Sequence, residues 1–425
     1  MNQKMRYPAF CSKLICIVVF ALAGIAVGQE AELESNWPVF RGVNHGHAIG
    51  AEFPIEITER KNVKWKTPIH GRGWSSPVIW GEQIWLTTAT EDGKKMSVIC
   101  VELDSGKVIR DSVLHENEEP AFCHPVNSYA SPTPAIEEGR VYIHFGSYGT
   151  TCLDTKTGEV IWKRLDLKCD HFRGPGSSPI IFENLLIVAF DGFDEQYVVA
   201  LNKDNGETVW KTKREIDYGT DNGDLKKAYC TGSVFKVDGR SLLVYPSAVA
   251  TVAYDAKSGE QIWTAYHEGM NASARPVMTK NGLVVLSNGM GKMVAVDPKG
   301  AGDITESNIK WRFAKATAKK TSQLIIGERV FMVSDKGIMT CLRQEDGEPV
   351  WQERIGGKYA ASPVFDGEKI MALSEDGLIK FFKAGDKFKL LGKSKLGEGF
   401  MASPAVSGKR VVLRSLSHLY CVSSQ

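Results

Sequence analysis

Leu153-Asp154-Thr155-Lys156-Thr157-Gly158-Glu159-Val160-Ile161-Trp162 is a β-hairpin written in ten residues. Leu153 and the Val160-Ile161 pair are strand formers on either side of a polar turn. An Asp side chain accepts hydrogen bonds from amides two or three residues on, and so nucleates such a turn. Gly158 supplies the positive φ that the turn needs. Trp162 falls on the outgoing strand, where its broad face can cover the gap to a neighbouring unit.

The phrase recurs. Leu201 to Trp210, Tyr254 to Trp263 and Leu342 to Trp351 repeat it. Leu103 to Arg110 lacks the Trp, Val296 to Trp311 carries an insertion, and Phe382 to Leu391 is worn. A second phrase, Ser-Pro or a variant at the start of an apolar strand, alternates with the first. Its copies are Ser76-Pro77-Val78, Ser131-Pro132-Thr133, Ser178-Pro179-Ile180, Thr231-Gly232-Ser233, Arg275-Pro276-Val277, Thr321-Ser322-Gln323, Ser362-Pro363-Val364 and Ser403-Pro404-Ala405. Proline is tolerated at the first residue of a strand, where no ladder donor is required.

Each unit therefore runs A strand, turn, B strand, loop, C strand, Asp–Gly turn, D strand. Four strands every roughly 40–50 residues are the signature of propeller blades. Eight copies predict an all-β, eight-bladed β-propeller. The last unit stops at Leu419-Tyr420-Cys421-Val422 and has no D strand of its own. Asn62-Val63-Lys64-Trp65-Lys66, ahead of the first unit, has the look of an orphan D strand. The expectation is a ring closed by N- and C-terminal strands in one blade, which leaves no free edge.

Residues 1–28 have the form of a signal peptide. Lys4, Arg6 and Lys13 precede an uncharged apolar run from Leu14 to Val27, and Ala26 and Gly28 are small enough for cleavage. Such a run is short for a membrane span, which takes about 20 residues. The predicted organisation is signal peptide 1–28, N-terminal lead-in segment 29–61, and propeller 62–425, periplasmic or secreted and with no membrane span after cleavage. Loss of the leader takes the formal charge from +2 to about −1. A near-neutral chain has no general attraction to polyanions, so nucleic acid is not an expected partner.

Seven cysteines follow the leader, with no C-x-x-C spacing, which excludes zinc-ribbon, thioredoxin-like and c-type haem motifs. Most lie inside strand-like runs and read as small buried hydrophobes.

The D-x-x-x-G-x-x-x-W hairpin with Ser-Pro strand starts resembles the repeat of the pyrroloquinoline-quinone-like (PQQ-like), BamB-like propeller family. Trp37-Pro38-Val39-Phe40-Arg41-Gly42-Val43-Asn44 is similar to the W-P-x-[FW]-R-G-x-N opening of secreted members. The resemblance implies the eight-bladed ring. It also brings PQQ with calcium as an alternative cofactor, although the adjacent Cys pair and the Cys-x-x-Cys-His motif of quinone enzymes are absent, and no cofactor is expected.

Loops joining strand D of one blade to strand A of the next gather at one mouth of a propeller channel, and loops on a rigid scaffold favour function. The candidate ligand-binding residues there are Trp74, His124, Asn127, Tyr129, His171, Arg173, Asp191, Tyr229, Arg275 and Tyr359. Trp74, Tyr129, Tyr229, Tyr359 and Phe400 would form a ring of aromatics able to stack a planar ligand or a sugar face. Cys123 and His124 of one loop and Cys169 and His171 of the next could converge as zinc ligands, or the two cysteines as a disulfide; two unrelated surface loops are the plainer reading. Asp191 could pair with His171 for acid–base work, or belong to a solvated turn. The expected role is a monomeric, non-catalytic binding scaffold for an extracytoplasmic protein, peptide or glycan. The alternatives are a PQQ-dependent oxidoreductase and a metal-assisted hydrolase or lyase at the channel mouth.

Overall fold

The computed structural model describes Met1 and residues 36–424, so the leader otherwise lies outside the described residues. Eight sheets form eight blades in a ring, a β-propeller. Blade one shows the order inside each: Val78–Trp80, Gln83–Ala89, Lys95–Glu102 and Val108–Glu116, all antiparallel. The closing blade takes its outer strand from the other end of the chain. Val63–Pro68 pairs with His418–Val422, with Lys66 opposite Tyr420.

The hairpin phrase behaves as its chemistry demands. Asp154 Oδ1 accepts from the amides of Lys156 (2.8 Å) and Thr157 (2.7 Å), and Gly158 sits at φ 73°. A bulge follows: Cys152 faces Trp162 but Leu153 faces Val160, so Ile161 is the extra residue. The same slip occurs beside Trp210, Trp263, Trp311 and Trp351. A bulge adds local twist and re-aims the side chain that follows it. Here it swings the indole onto the next blade. The Nε1 of Trp65, Trp162, Trp263, Trp311 and Trp351 donates to a turn carbonyl of the following blade at 2.9–3.0 Å. Several of these rings lie on the turn glycine itself: a Cβ at Gly206 would be 2.7 Å from Trp162, and one at Gly259 would be 2.5 Å from Trp210. Glycine is required there by contact as well as by φ.

The core lies between blades. Tyr142 and Cys152 of blade two pack with Leu186, Val188 and Phe190 of blade three, for example. Each fully buried large side chain contributes about 1.5–3 kcal/mol.

The second phrase has a more specific job. Ser76 N–H donates to Thr133 Oγ1, Thr133 N–H to Ser178 Oγ, Ser178 N–H to Thr231 Oγ1, Arg275 N–H to Ser322 Oγ, Ser322 N–H to Ser362 Oγ, Ser362 N–H to Ser403 Oγ, and Ser403 N–H back to Ser76 Oγ, all at 2.9–3.0 Å. The inner strands are thus tied hand to hand around the channel. In blade two the ring member is Thr133, two residues beyond the Ser131 that the sequence suggests.

Two features depart from the expected plan. The insertion between Val296 and Trp311 reaches sideways, and its Gly302–Asp303 strand runs parallel to Gln261–Tyr266 as a fifth strand of blade four. The N-terminal segment is also no simple lead-in, because it covers one end of the channel. Trp37 pairs with Ile79, Ile136 N–H donates to Pro38 O, and Ala48 N–H donates to Phe365 O. Arg41, fully buried, donates to Gln323 O (2.9 Å) and Pro363 O (3.4 Å). The segment therefore touches inner strands all round the ring before it turns outward to become the closing strand.

Candidate functional site

Among the described residues, one end of the channel is covered by the N-terminal segment, and the opposite mouth is formed by the D–A and B–C loops. A cavity of about 420 Å³ lies there, with Phe40 of the N-terminal segment in its lining. Its inner wall carries the hydroxyl ring (Ser76, Thr133, Ser178, Thr231, Ser362 and Ser403). Trp74, His124, Asn127, Arg173 and Tyr229 are also in its lining. Asn127 Nδ2 donates to Arg173 O and Pro175 O, both at 3.0 Å, and so ties the blade-two loop to the blade-three loop. Trp74 Nε1 donates to Val126 O (3.1 Å), with the Arg72 guanidinium 5.0 Å from its ring. Arg173 is held by Asp224 at 2.5 Å.

The other candidates lie elsewhere. Tyr359 and Phe400 are fully buried and cannot meet a ligand. Lys380 Nζ donates to the Tyr359 hydroxyl at 3.1 Å. The Tyr129 hydroxyl donates to Ala121 O (2.8 Å) and its ring packs on Tyr148, so it braces its own loop. A full aromatic ring therefore does not form. Asp191 is not in a solvated turn. It is buried against Arg214, whose Nη2 donates to Oδ2 (2.9 Å) and whose Nε lies 2.6 Å from Oδ1. His171 accepts from Ser147 N–H (3.0 Å) and stacks on Phe190, and burial with nearby Lys227 pulls it well below the usual imidazole range. A base that neither faces the cavity nor carries a free carboxylate partner is poorly placed for proton transfer. Arg275 lies at the channel's inner wall, where its Nη1 donates to Phe40 O (2.6 Å).

The cysteines do not form a centre. Cys123 and Cys169 are separate free thiols. Burial pushes Cys123 up to about 11 and Cys169 up to about 12, so both are protonated at neutral pH. Cys169 Sγ sits 3.6 Å from His171 Nε2, while Cys123 Sγ faces Arg173 O at 3.8 Å. Among the described residues no three His, Cys, Asp or Glu side chains converge to hold a metal ion.

Sequence reasoning missed a ridge of exposed aromatics beside the cavity. Phe122 is 59% exposed, Phe172 38% and Phe193 37%, with Val126 and Leu225 exposed nearby. Ring centroids are 6.3 Å apart for Phe122–Phe172 and 5.4 Å for Phe172–Phe193. Phe172 is held at φ 51°, a conformation that bulky residues rarely adopt. For two of them the signal was present in the sequence: Phe172 lies between His171 and Arg173, and Phe193 precedes Asp194 and Glu195, in loops where no core position calls for an aromatic.

The profile of the family described as outer membrane protein assembly factor BamB matches residues 94–214 and 308–387. BamB of Moranella endobia (strain PCIT) is 25% identical over 248 residues, 57% of this chain and 59% of that protein. BamB of Yersinia pestis is 22% identical over 322 residues, 71% and 77% of the two chains. The solved BamB of Moraxella catarrhalis superposes with a TM-score of 0.60 at 14% identity, covering 85% of this chain and 99% of that one. The chain is a PQQ-like, BamB-like β-propeller. A europium-containing methanol dehydrogenase gives a TM-score of 0.68 at 12% identity, covering 93% and 92%. At that identity the likeness is one of fold, and this BamB-like propeller shares with it the ring of blades.

Proposed function

We propose that this BamB-like propeller is a non-catalytic extracytoplasmic scaffold that binds a protein partner at its open mouth, over blades two to four. The carrying observation is the ridge Phe122–Phe172–Phe193 next to a cavity edged by Trp74, Tyr229 and Arg173. Contiguous exposed apolar surface rimmed by polar groups marks interaction sites. Aromatics and Arg dominate the energy of protein interfaces. The strain at Phe172 fits the same reading, since unusual backbone geometry gathers where side chains must be displayed. Relatives named as outer membrane protein assembly factors support a partner of protein type and a place outside the cytoplasm.

Phe172→Asp tests it. Asp tolerates positive φ, so the variant keeps the loop and loses the apolar surface. A photo-crosslinker at Phe172 should capture a discrete protein from the extracytoplasmic fraction, and one at Ile49 on the covered end should not. Equal capture from both ends overturns the assignment. So does dye reduction with added alcohols after loading with PQQ and calcium, or stoichiometric zinc that is lost in His124→Ala.

A further inference from the structure

The hydroxyl ring has one gap. In blade five Arg275 stands where the other blades place Ser or Thr, so the Thr231 N–H meets no hydroxyl. Among the described residues that N–H has no hydrogen-bond partner. Arg275 is only 7% exposed. Its Nε donates to Gly232 O (3.2 Å) and Ser233 Oγ (3.0 Å), its Nη1 to Phe40 O (2.6 Å), and its Nη2 to nothing described. The gap borders a second cavity, of about 310 Å³, between the N-terminal segment and the inner strands of blades one to five. Phe40 and Thr231 line both cavities, so the second lies directly beneath the first.

This lower cavity is rich in donors and poor in acceptors. Arg275, Thr231 and His45 are in its lining, and His45 Nδ1 is buried without a partner. Arg41 adds a second guanidinium close by, held only by backbone carbonyls and with its Nε unpartnered. Glu137 is the one carboxylate in the lining, and it is taken by Lys203 (2.6 Å) and by the Tyr142 hydroxyl (2.6 Å). The remaining walls are largely apolar, with Val39, Ile136, Ile181 and Val234 among them. The backbone is bent to deliver the polar groups: Arg41 and His45 sit at φ 65° and 52°, and a Cβ at Gly46 would lie 2.5 Å from Arg41 Nη2.

Buried charges are normally paired. Here burial, with repulsion from Arg275, pulls Arg41 down to about 9, and burial alone pulls Arg275 to about 10. Both still carry their charge at neutral pH. Uncompensated positive charge and free N–H groups in an apolar-walled cavity are complementary to an anion with an apolar body. A guanidinium edge beside a backbone amide suits the two oxygens of a carboxylate.

We infer that the lower cavity is a binding site for a small carboxylate with an apolar body. Its oxygens take Arg275 Nη2 and Thr231 N–H, and its body lies against Val39, Ile136 and Ile181. The site shares Phe40 and Thr231 with the cavity above it but uses none of the Phe122, Phe172 and Phe193 ridge.

The test uses benzoate, with benzamide as its neutral counterpart and inorganic phosphate as an anion without an apolar body. Trp80 lines the cavity and reports binding by its fluorescence. Arg275→Ser restores the hydroxyl found in the other blades, and Arg275→Gln keeps a donor for Phe40 O without the charge. Benzoate should bind saturably and raise the melting temperature, benzamide should do neither, and both variants should weaken benzoate about tenfold or more, the usual effect of losing one charge-assisted pair. Equal responses to benzoate and benzamide, unchanged affinity in both variants, or a response to phosphate alone would each overturn the inference. Arg275 would then serve only to latch Phe40 to the ring.

Discussion

The contact between Trp162 and the turn at Gly206 allows a quantitative prediction. In Gly206→Ala the new Cβ falls 2.7 Å from the Trp162 ring, where carbon contacts settle near 3.5–4.0 Å. The ring must retreat by roughly 0.8–1.3 Å to reach that distance. That retreat breaks the 2.9 Å bond from Trp162 Nε1 to Lys203 O, worth about 1 kcal/mol. The overpacking itself costs about 1–2 kcal/mol more. Alanine at φ 75° adds a further penalty of about 1 kcal/mol. Gly206→Ala should therefore destabilise by about 3–4 kcal/mol, as the sum of these terms. Trp162→Ala empties the same contact and should cost about 3–5 kcal/mol. With the indole gone, Gly206→Ala retains only its backbone penalty, so the double mutant should show a coupling of about 2 kcal/mol or more. Urea unfolding of the four proteins, followed by far-ultraviolet circular dichroism, measures it. If Gly206→Ala costs the same with and without Trp162, to within about 0.5 kcal/mol, the indole–glycine contact is not what holds blades two and three together.

Other consequences can be checked in the same way. Burial and His115 pull His144 down to about 3, and burial pulls His267 to about 4, so both stay neutral in the fold while the unfolded chain takes up protons below about 6.5. Their contribution is whole above that pH and is lost as the pH falls, by about 1.4 kcal/mol per unit for each. Urea midpoints that stay flat between pH 7 and 5 would contradict this. Asp191→Ala strands the buried Arg214 and should cost about 3–5 kcal/mol, visible as a lowered denaturation midpoint. Ser362→Ala leaves the buried Ser322 N–H without its acceptor and should cost about 1–3 kcal/mol, whereas Ser362→Thr, the residue used in blades two and four, should be nearly neutral. Removing the chain through Pro68 takes away the outer strand of the closing blade and exposes the edge of His418–Val422. The expected result is aggregation or loss of cooperative unfolding, and a truncated protein with an unchanged melt would refute closure by that strand.

The blade count, the Asp–Gly turns, the docking tryptophans and the closing strand were all legible in the sequence. Each is a local pattern of a few residues, and repetition makes its phase unmistakable. Candidate sites fared less evenly. Trp74, His124, Asn127, Arg173 and Tyr229 reached the cavity because distance from the strand start does fix height along the channel. Tyr359 has a comparable position in its loop and Asp191 ends the strand Leu185–Asp191, yet both point into the protein, where Lys380 and Arg214 hold them.

The chain's own repeats thus determine a closed ring of eight four-stranded blades, since hydrogen bonding and turn chemistry act between residues close in sequence. Whether a loop side chain faces solvent or a neighbouring blade was decided only on assembly. So was the covering of one channel end, where Arg275 meets Phe40 across 235 positions of sequence. Contacts of that range depend on where the ring places its inner wall, and no local pattern encodes them.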